Sequence, residues 1–268
     1  MKMKLNGINY DYQIYGKGEP ILLLHGFIGS QKTWSNIINP LSKQFQVITI
    51  DLIGHGNTES PYDVNLYQME AVVDQLDELL KQLKIDQVNI LGYSMGGRVA
   101  LSFTCLKQDR VKKLILESAS PGILDEKERE DRKKHDFQLA QKILKDGIES
   151  FVNEWEKLPL FKSQKQLPEG VQKQIRLSRL NQNKMGLANS LIGMGTGSQP
   201  SWWEHLQKIE IPVKIVVGQL DHKFCNIGEE MGLKLQHASI STVPNVGHAP
   251  HIEEPEKFAK IVMEFLQD

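Results

Sequence analysis

The chain has 268 residues, 40% hydrophobic and 24% charged, which is long enough to bury a sizeable core and ordinary for a soluble globular protein. Its net charge of −1 gives no electrostatic basis for binding nucleic acid or an anionic membrane surface. Cys105 and Cys225 make no disulfide framework and suit a reducing, cytoplasmic setting, and no signal-peptide pattern or bilayer-length apolar run argues for export or membrane insertion.

Taken in chain order, Ile8 to Tyr15 reads as a first strand, and Pro20 to Leu24 is a buried apolar strand ending at His25-Gly26. Trp34 to Phe45 reads as a helix, Gln46 to Asp51 as a strand, and Leu66 to Leu83 has apolar residues at helical spacing. Val88 to Leu91 is the expected central strand, Gly97 to Gln108 a helix and Val111 to Glu117 the next strand. Strands alternating with helices predict a mostly parallel central sheet covered on both faces, an α/β class. The alternation stops between about Pro121 and Pro200, a charged, helical stretch with no convincing strand. It resumes with strands at Val213 to Gly218 and Ser239 to Val243 and a final helix from Pro255 to Leu266. The predicted organisation is therefore a core of residues 1–120 and 201–268 with residues 121–200 inserted as a helical lid. Such a lid lies over the strands' C-terminal edge, where open α/β sheets hold their ligands.

Chemistry concentrates in the loops after those strands. Val88 to Arg98 reads Val-Asn-Ile-Leu-Gly-Tyr-Ser-Met-Gly-Gly-Arg, placing Ser94 in a Gly-x-Ser-x-Gly nucleophile elbow. A serine at the tip of a tight strand-to-helix turn takes strained backbone angles, so the residues two away must lack side chains. The following helix N-terminus points free N–H groups to where negative charge develops. His25-Gly26-Phe27-Ile28-Gly29-Ser30 brings backbone close to the same place, so the N–H groups of Phe27 and Met95 are the expected oxyanion hole. His25 reads as a structural residue holding that loop, and His55, in Asp51-Leu52-Ile53-Gly54-His55-Gly56, as structural or exposed. Asp221, in the loop after Val213 to Gly218, is the candidate to orient a histidine, with Glu117 as its rival. His248, in Pro244-Asn245-Val246-Gly247-His248, is the candidate base, with His251 as its rival. Ser94, Asp221 and His248 then follow the order nucleophile, acid, histidine, in which Asp221 fixes the imidazole tautomer and His248 takes the Ser94 proton. No zinc-ligand spacing occurs, and Gly16-x-Gly18 lacks the third glycine of a dinucleotide loop, so neither metal nor cofactor is expected.

Over nearly its full length the chain resembles the α/β-hydrolase superfamily. Within it, the elbow, the His25 to Ser30 loop and Ser118-Ala119-Ser120-Pro121-Gly122 resemble the 2-succinyl-6-hydroxy-2,4-cyclohexadiene-1-carboxylate synthases of menaquinone biosynthesis. So do Glu149 to Phe161, Arg179-Leu180-Asn181-Gln182-Asn183 and Asp221-x-Lys223-Phe224. The resemblance implies a carbon–oxygen lyase. It removes a proton α to a succinyl ketone and eliminates pyruvate from an enolpyruvyl ether, with Ser94 acting as a base through His248. The substrate is a small polycarboxylate, so the resemblance implies Arg98, Arg132 and Arg179 as carboxylate contacts, with Tyr93, Trp155 and Lys223 also at the pocket. Arg129 competes with Arg132, and Arg176 with Arg179. Two other readings stay open: a serine hydrolase of small esters or thioesters, and a non-catalytic receptor on the same fold. Oligomeric state is not legible in the chain.

Overall fold

The computed structural model describes residues 1–268. Its elements are β1 (Lys2–Leu5), β2 (Ile8–Tyr15), β3 (Glu19–Leu24), α1 (Ser35–Ser42), β4 (Phe45–Ile50), α2 (Met69–Gln82), β5 (Val88–Tyr93), α3 (Met95–Leu106) and β6 (Val111–Glu117). There follow α4 (Glu126–Trp155), α5 (Glu169–Leu180), α6 (Lys184–Met194), β7 (Val213–Gly218), α7 (His222–Lys234), β8 (Ala238–Val243), α8 (Pro250–Glu253) and α9 (Pro255–Gln267). Eight strands form one sheet in the order β1-β2-β4-β3-β5-β6-β7-β8. β1 and β2 are antiparallel to their neighbours, and every pair from β4 onward is parallel. The central strands read as continuous apolar runs because they are covered on both faces, which removes the polar alternation of a half-exposed strand. One face packs against α2, α3 and α7 through residues such as Leu76, Phe103 and Met231, the other against α1 and α9 through Ile37 and Phe258.

Besides the single turn α8, two elements were not anticipated. β1 pairs with β2 through a two-residue turn at Asn6-Gly7, both with positive φ. Asn-Gly between strands is a strong hairpin signal, here masked by the lysines of a short edge strand. α7 is largely exposed, with only Gly228 and Met231 buried, so it leaves little apolar periodicity in the sequence. Its start is nonetheless signalled by Asp221, the N-cap, whose side chain accepts from the Phe224 N–H.

Between β6 and β7, which are adjacent and parallel, the chain leaves the sheet for α4, α5 and α6 before returning. α4 bends at Gly147, whose φ of 82° breaks the helical run. Ala140, Ile143, Phe151, Leu187 and Leu191 pack this helical segment together and onto Ile28 of the loop after β3. That loop is one of the site's walls.

Candidate active site

The elbow is built by steric exclusion. Ser94 sits at φ 51°, ψ −108°, an unfavourable conformation for a residue with a side chain, and α3 starts at the next residue rather than after Gly97. A Cβ on Gly92 would lie 2.3 Å from the Gly96 carbonyl oxygen, and one on Gly96 would lie 2.0 Å from that of Leu24. These glycines, poor helix formers by themselves, are what allow strand, turn and helix to approach closely. The Ser94 N–H donates to the Glu117 carbonyl at 2.8 Å, which ties the elbow to the end of β6.

His248 lies against the serine from the loop after β8. Its Nε2 is 3.0 Å from Ser94 Oγ and its Nδ1 is 2.6 Å from Asp221 Oδ2. A carboxylate can only accept, so Nδ1 carries the proton and Nε2 presents its lone pair to the serine hydroxyl. Both His248 and Asp221 are buried, and the Phe224 ring stacks 4.6 Å from the imidazole, so the relay is shielded from water. Glu253 braces the loop: its Oε2 accepts the Gly247 N–H at 2.8 Å and its Oε1 the Ala249 N–H at 3.3 Å, on either side of His248.

The rival residues pair with each other. Glu117 Oε1 accepts from His251 Nδ1 at 2.8 Å, with both side chains wholly buried. His25 is structural: Nδ1 donates to the Gly26 carbonyl at 2.8 Å and Nε2 accepts the Leu52 N–H at 2.9 Å. A second proton on that ring would oppose the Leu52 N–H, and burial pushes its pKa down to about 4. His55, also buried, is lowered to about 3, first by burial and then by His25.

Ser94 and His248 face a cavity of about 1850 Å³ between the sheet edge and the helical segment. Phe27 and Met95 border it. Met95 is the first residue of α3, so its N–H has no acceptor within the helix. Phe27 sits in a turn closed by Gly29 N–H to Gly26 O at 3.0 Å, with Ile28 at φ 59°, and its own N–H has no acceptor in the protein. Two free amides beside one serine are what an oxyanion hole requires.

Each cation assigned by resemblance borders the cavity, and their surroundings differ. Arg98 Nη1 donates to the Met194 carbonyl and to Gln199 Oε1, both at 2.6 Å, so its direct partners are neutral. Burial, reinforced by Arg132, lowers its pKa to about 10, which still leaves it charged at neutral pH. Arg132 is held by Asp136 at 2.8 Å. Arg179 lies over the Phe161 ring at 4.7 Å and donates to Gln164 at 2.9 Å. It shares Glu156 with Arg176, so two guanidinium groups meet one carboxylate and a positive charge is left over. Arg176 and Arg129 are absent from the cavity wall. Tyr93 and Trp155 are also on that wall, Trp155 edge-to-face with Phe27 at 5.4 Å, whereas Lys223 is exposed at the rim, 5.7 Å from the Phe224 ring. Gln199 and Glu253 went unnoticed in the sequence; a glutamine or glutamate in a polar stretch gives no local sign that it is braced against a site.

Residues 19–255 match the family model of the α/β-hydrolase fold. A Bacillus subtilis relative, to which 2-succinyl-6-hydroxy-2,4-cyclohexadiene-1-carboxylate synthase activity is provisionally assigned, is 45% identical over 92% of this chain and 90% of its own length. A synthase of that name from Photorhabdus laumondii is 33% identical over 92% of this chain and 84% of its own. Among solved structures, MenH from S. aureus superposes with a TM-score of 0.92 at 36% identity, covering 96% of this chain and 97% of that one. A malate-bound esterase from Thermogutta terrifontis follows the same fold with a TM-score of 0.89 at 26% identity, covering 100% and 97%. With its sheet order, its elbow and these relatives in agreement, the chain belongs to the α/β-hydrolase family and, within it, to the branch of the 2-succinyl-6-hydroxy-2,4-cyclohexadiene-1-carboxylate synthases.

Proposed function

We propose that this protein is a lyase of menaquinone biosynthesis, converting 2-succinyl-5-enolpyruvyl-6-hydroxy-3-cyclohexene-1-carboxylate to 2-succinyl-6-hydroxy-2,4-cyclohexadiene-1-carboxylate and pyruvate in the cytoplasm. In this reading Ser94, its proton drawn toward His248, takes the ring proton α to the succinyl ketone. The resulting enolate oxygen resembles the oxyanion of acyl transfer in charge, so the Phe27 and Met95 amides serve it equally well. The electrons pass through the ring double bond and the bond to the enolpyruvyl oxygen breaks; the released enol becomes pyruvate. Asp221 keeps the His248 tautomer and offsets the imidazolium charge. No water enters the equation, which fits the aromatic wall of Trp155, Phe161 and Phe224 around the histidine. Residues 121–200 act as the lid that excludes it.

The observation that carries this reading beyond a generic serine enzyme is Arg98, a half-buried guanidinium whose hydrogen-bond partners are neutral and whose charged neighbours are Arg132 and Asp136. Asp136 is already paired with Arg132, so the two guanidinium groups leave a net positive charge there, and a substrate with several carboxylates offsets it. A hydrolase of neutral esters has no use for it. The Ser94–His248–Asp221 line by itself also suits ester hydrolysis, so the test compares both substrates. Purified protein is expected to release pyruvate from the enolpyruvyl substrate and to turn over short p-nitrophenyl esters poorly, with Ser94→Ala abolishing pyruvate release. Rapid ester turnover without pyruvate would overturn the lyase reading. Arg98→Ala is expected to lower kcat/KM by about tenfold to a hundredfold, the range for losing a charge-assisted contact. Because Arg98 also tethers Met194 and Gln199, a modest drop in Tm should accompany it.

A further inference from the structure

We infer that Glu117 is a positioning residue, setting the distance between Ser94 and His248 by gripping both of their loops. The inference rests on the triad reading of those two residues and adds a member to it. Ser94 and His248 stand after β5 and β8, which are separated in the sheet by β6 and β7. Glu117, the last residue of β6, touches both sides. Its carbonyl oxygen accepts the Ser94 N–H at 2.8 Å. Its carboxylate Oε1 accepts the His251 backbone N–H at 2.9 Å and the His251 Nδ1–H at 2.8 Å, in the first turn of α8, three residues beyond His248.

The loop between is stiff enough to transmit that grip. Glu253 binds the amides on both sides of His248, so residues 247–253 move as one unit. The far side of His251 is pinned as well: with Nδ1 donating, Nε2 accepts the Thr33 hydroxyl at 2.8 Å. A second route runs through side chains. The Tyr93 ring lies between the two imidazoles, 4.6 Å from His251 and 5.4 Å from His248, so His251 backs the ring that His248 rests on.

Packing alone gives no reason for this pair. Both side chains are wholly buried among Trp34, Tyr93 and Phe258, and the second Glu117 oxygen has no donor. An apolar pair would fill the layer without that desolvation cost. What the carboxylate adds is direction: two accepted bonds at fixed angles, which dispersion contacts cannot supply.

Three substitutions separate reach from charge. Glu117→Gln keeps the length and an oxygen acceptor but loses the charge; Glu117→Asp keeps the charge but falls short of His251; Glu117→Ala removes both. A fluorophosphonate probe on the full-length protein reads Ser94 activation with no substrate bound, and kcat, KM and Tm are measured alongside. Glu117→Asp and Glu117→Ala are expected to slow labelling and kcat by about tenfold to a hundredfold, the scale of a sub-ångström to ångström misplacement, with KM nearly unchanged. Glu117→Gln should stay within about threefold of the parent protein. If Glu117→Ala does not fold, the Asp and Gln variants decide. Glu117→Asp labelling at the parent rate would overturn the inference, as would Glu117→Gln being as slow as Glu117→Asp. No labelling of the unsubstituted protein would instead sink the triad reading beneath it.

Discussion

At the scale of single residues, the candidate triad depends on which acid each histidine finds. Asp221 and Glu117 are both carboxylates at strand ends, and His248 and His251 are three residues apart, yet each acid has one partner. Asp221 is the N-cap of α7, which fixes its side chain against the loop after β8. Asp221→Asn presents an amide that can donate where a carboxylate only accepts, inviting the wrong His248 tautomer. Turnover is expected to fall by about 10³–10⁴-fold with Tm little changed, the scale seen for that change in a serine-protease triad. Pyruvate release followed by a coupled dehydrogenase checks this, and undiminished turnover would remove Asp221 from the relay.

At the scale of elements, two glycines within helical runs both oppose helix propensity, to different degrees and for different reasons. Replacing a mid-helix glycine by alanine normally stabilises by about 1 kcal/mol. Gly96, in the first turn of α3, has no space for it: the added Cβ would meet the Leu24 carbonyl oxygen at 2.0 Å, backbone that cannot move without breaking β3 from β5. Gly96→Ala is expected to cost more than about 3 kcal/mol in urea unfolding, or to yield no folded protein. Gly147, at the bend of α4, has nothing within 4 Å of its added Cβ and only its φ of +82° to oppose substitution. Gly147→Ala should therefore cost about 1–3 kcal/mol, the strain of an L-residue at φ 82°, ψ 173°, a region that essentially only glycine occupies. Equal costs at the two sites would show that the elbow is looser than its geometry implies.

For the whole molecule, acid stability follows from the two histidines buried under the loops after β3 and β4. An unfolded histidine titrates near 6.5, whereas His25 and His55 are held at about 4 and about 3. Between those values and pH 6.5 the unfolded chain binds more protons than the folded one, so stability is full above pH 6.5 and drains away as the pH falls. The loss is on the order of 3 kcal/mol for His25 and 5 kcal/mol for His55 by the time both would titrate. Tm measured from pH 7.5 down to 4.5 should decline, and His55→Asn, which has no ring to protonate, should decline less steeply. An identical slope in that variant would place the acid sensitivity elsewhere. No helix is long and apolar enough to cross a membrane.

The alternation of strands and helices, the glycines around Ser94 and the order Ser94, Asp221, His248 are all local or ordinal properties, so the linear chain determined the fold class and named the candidate centre. Local periodicity carries no information on distances across a sheet. Strand order decided that Glu117, although it adjoins the elbow through its carbonyl, turns its carboxylate to His251, while Asp221 reaches His248 from the neighbouring strand. The same limit applied to the cations. Arg129 and Arg132, or Arg176 and Arg179, are one helical turn apart in helices too charged to show a buried face, and packing against the sheet edge chose the members that border the cavity. It also left Arg98 with neutral partners, a property of α3, the end of α6 and the segment after it meeting in space that no stretch of sequence contains.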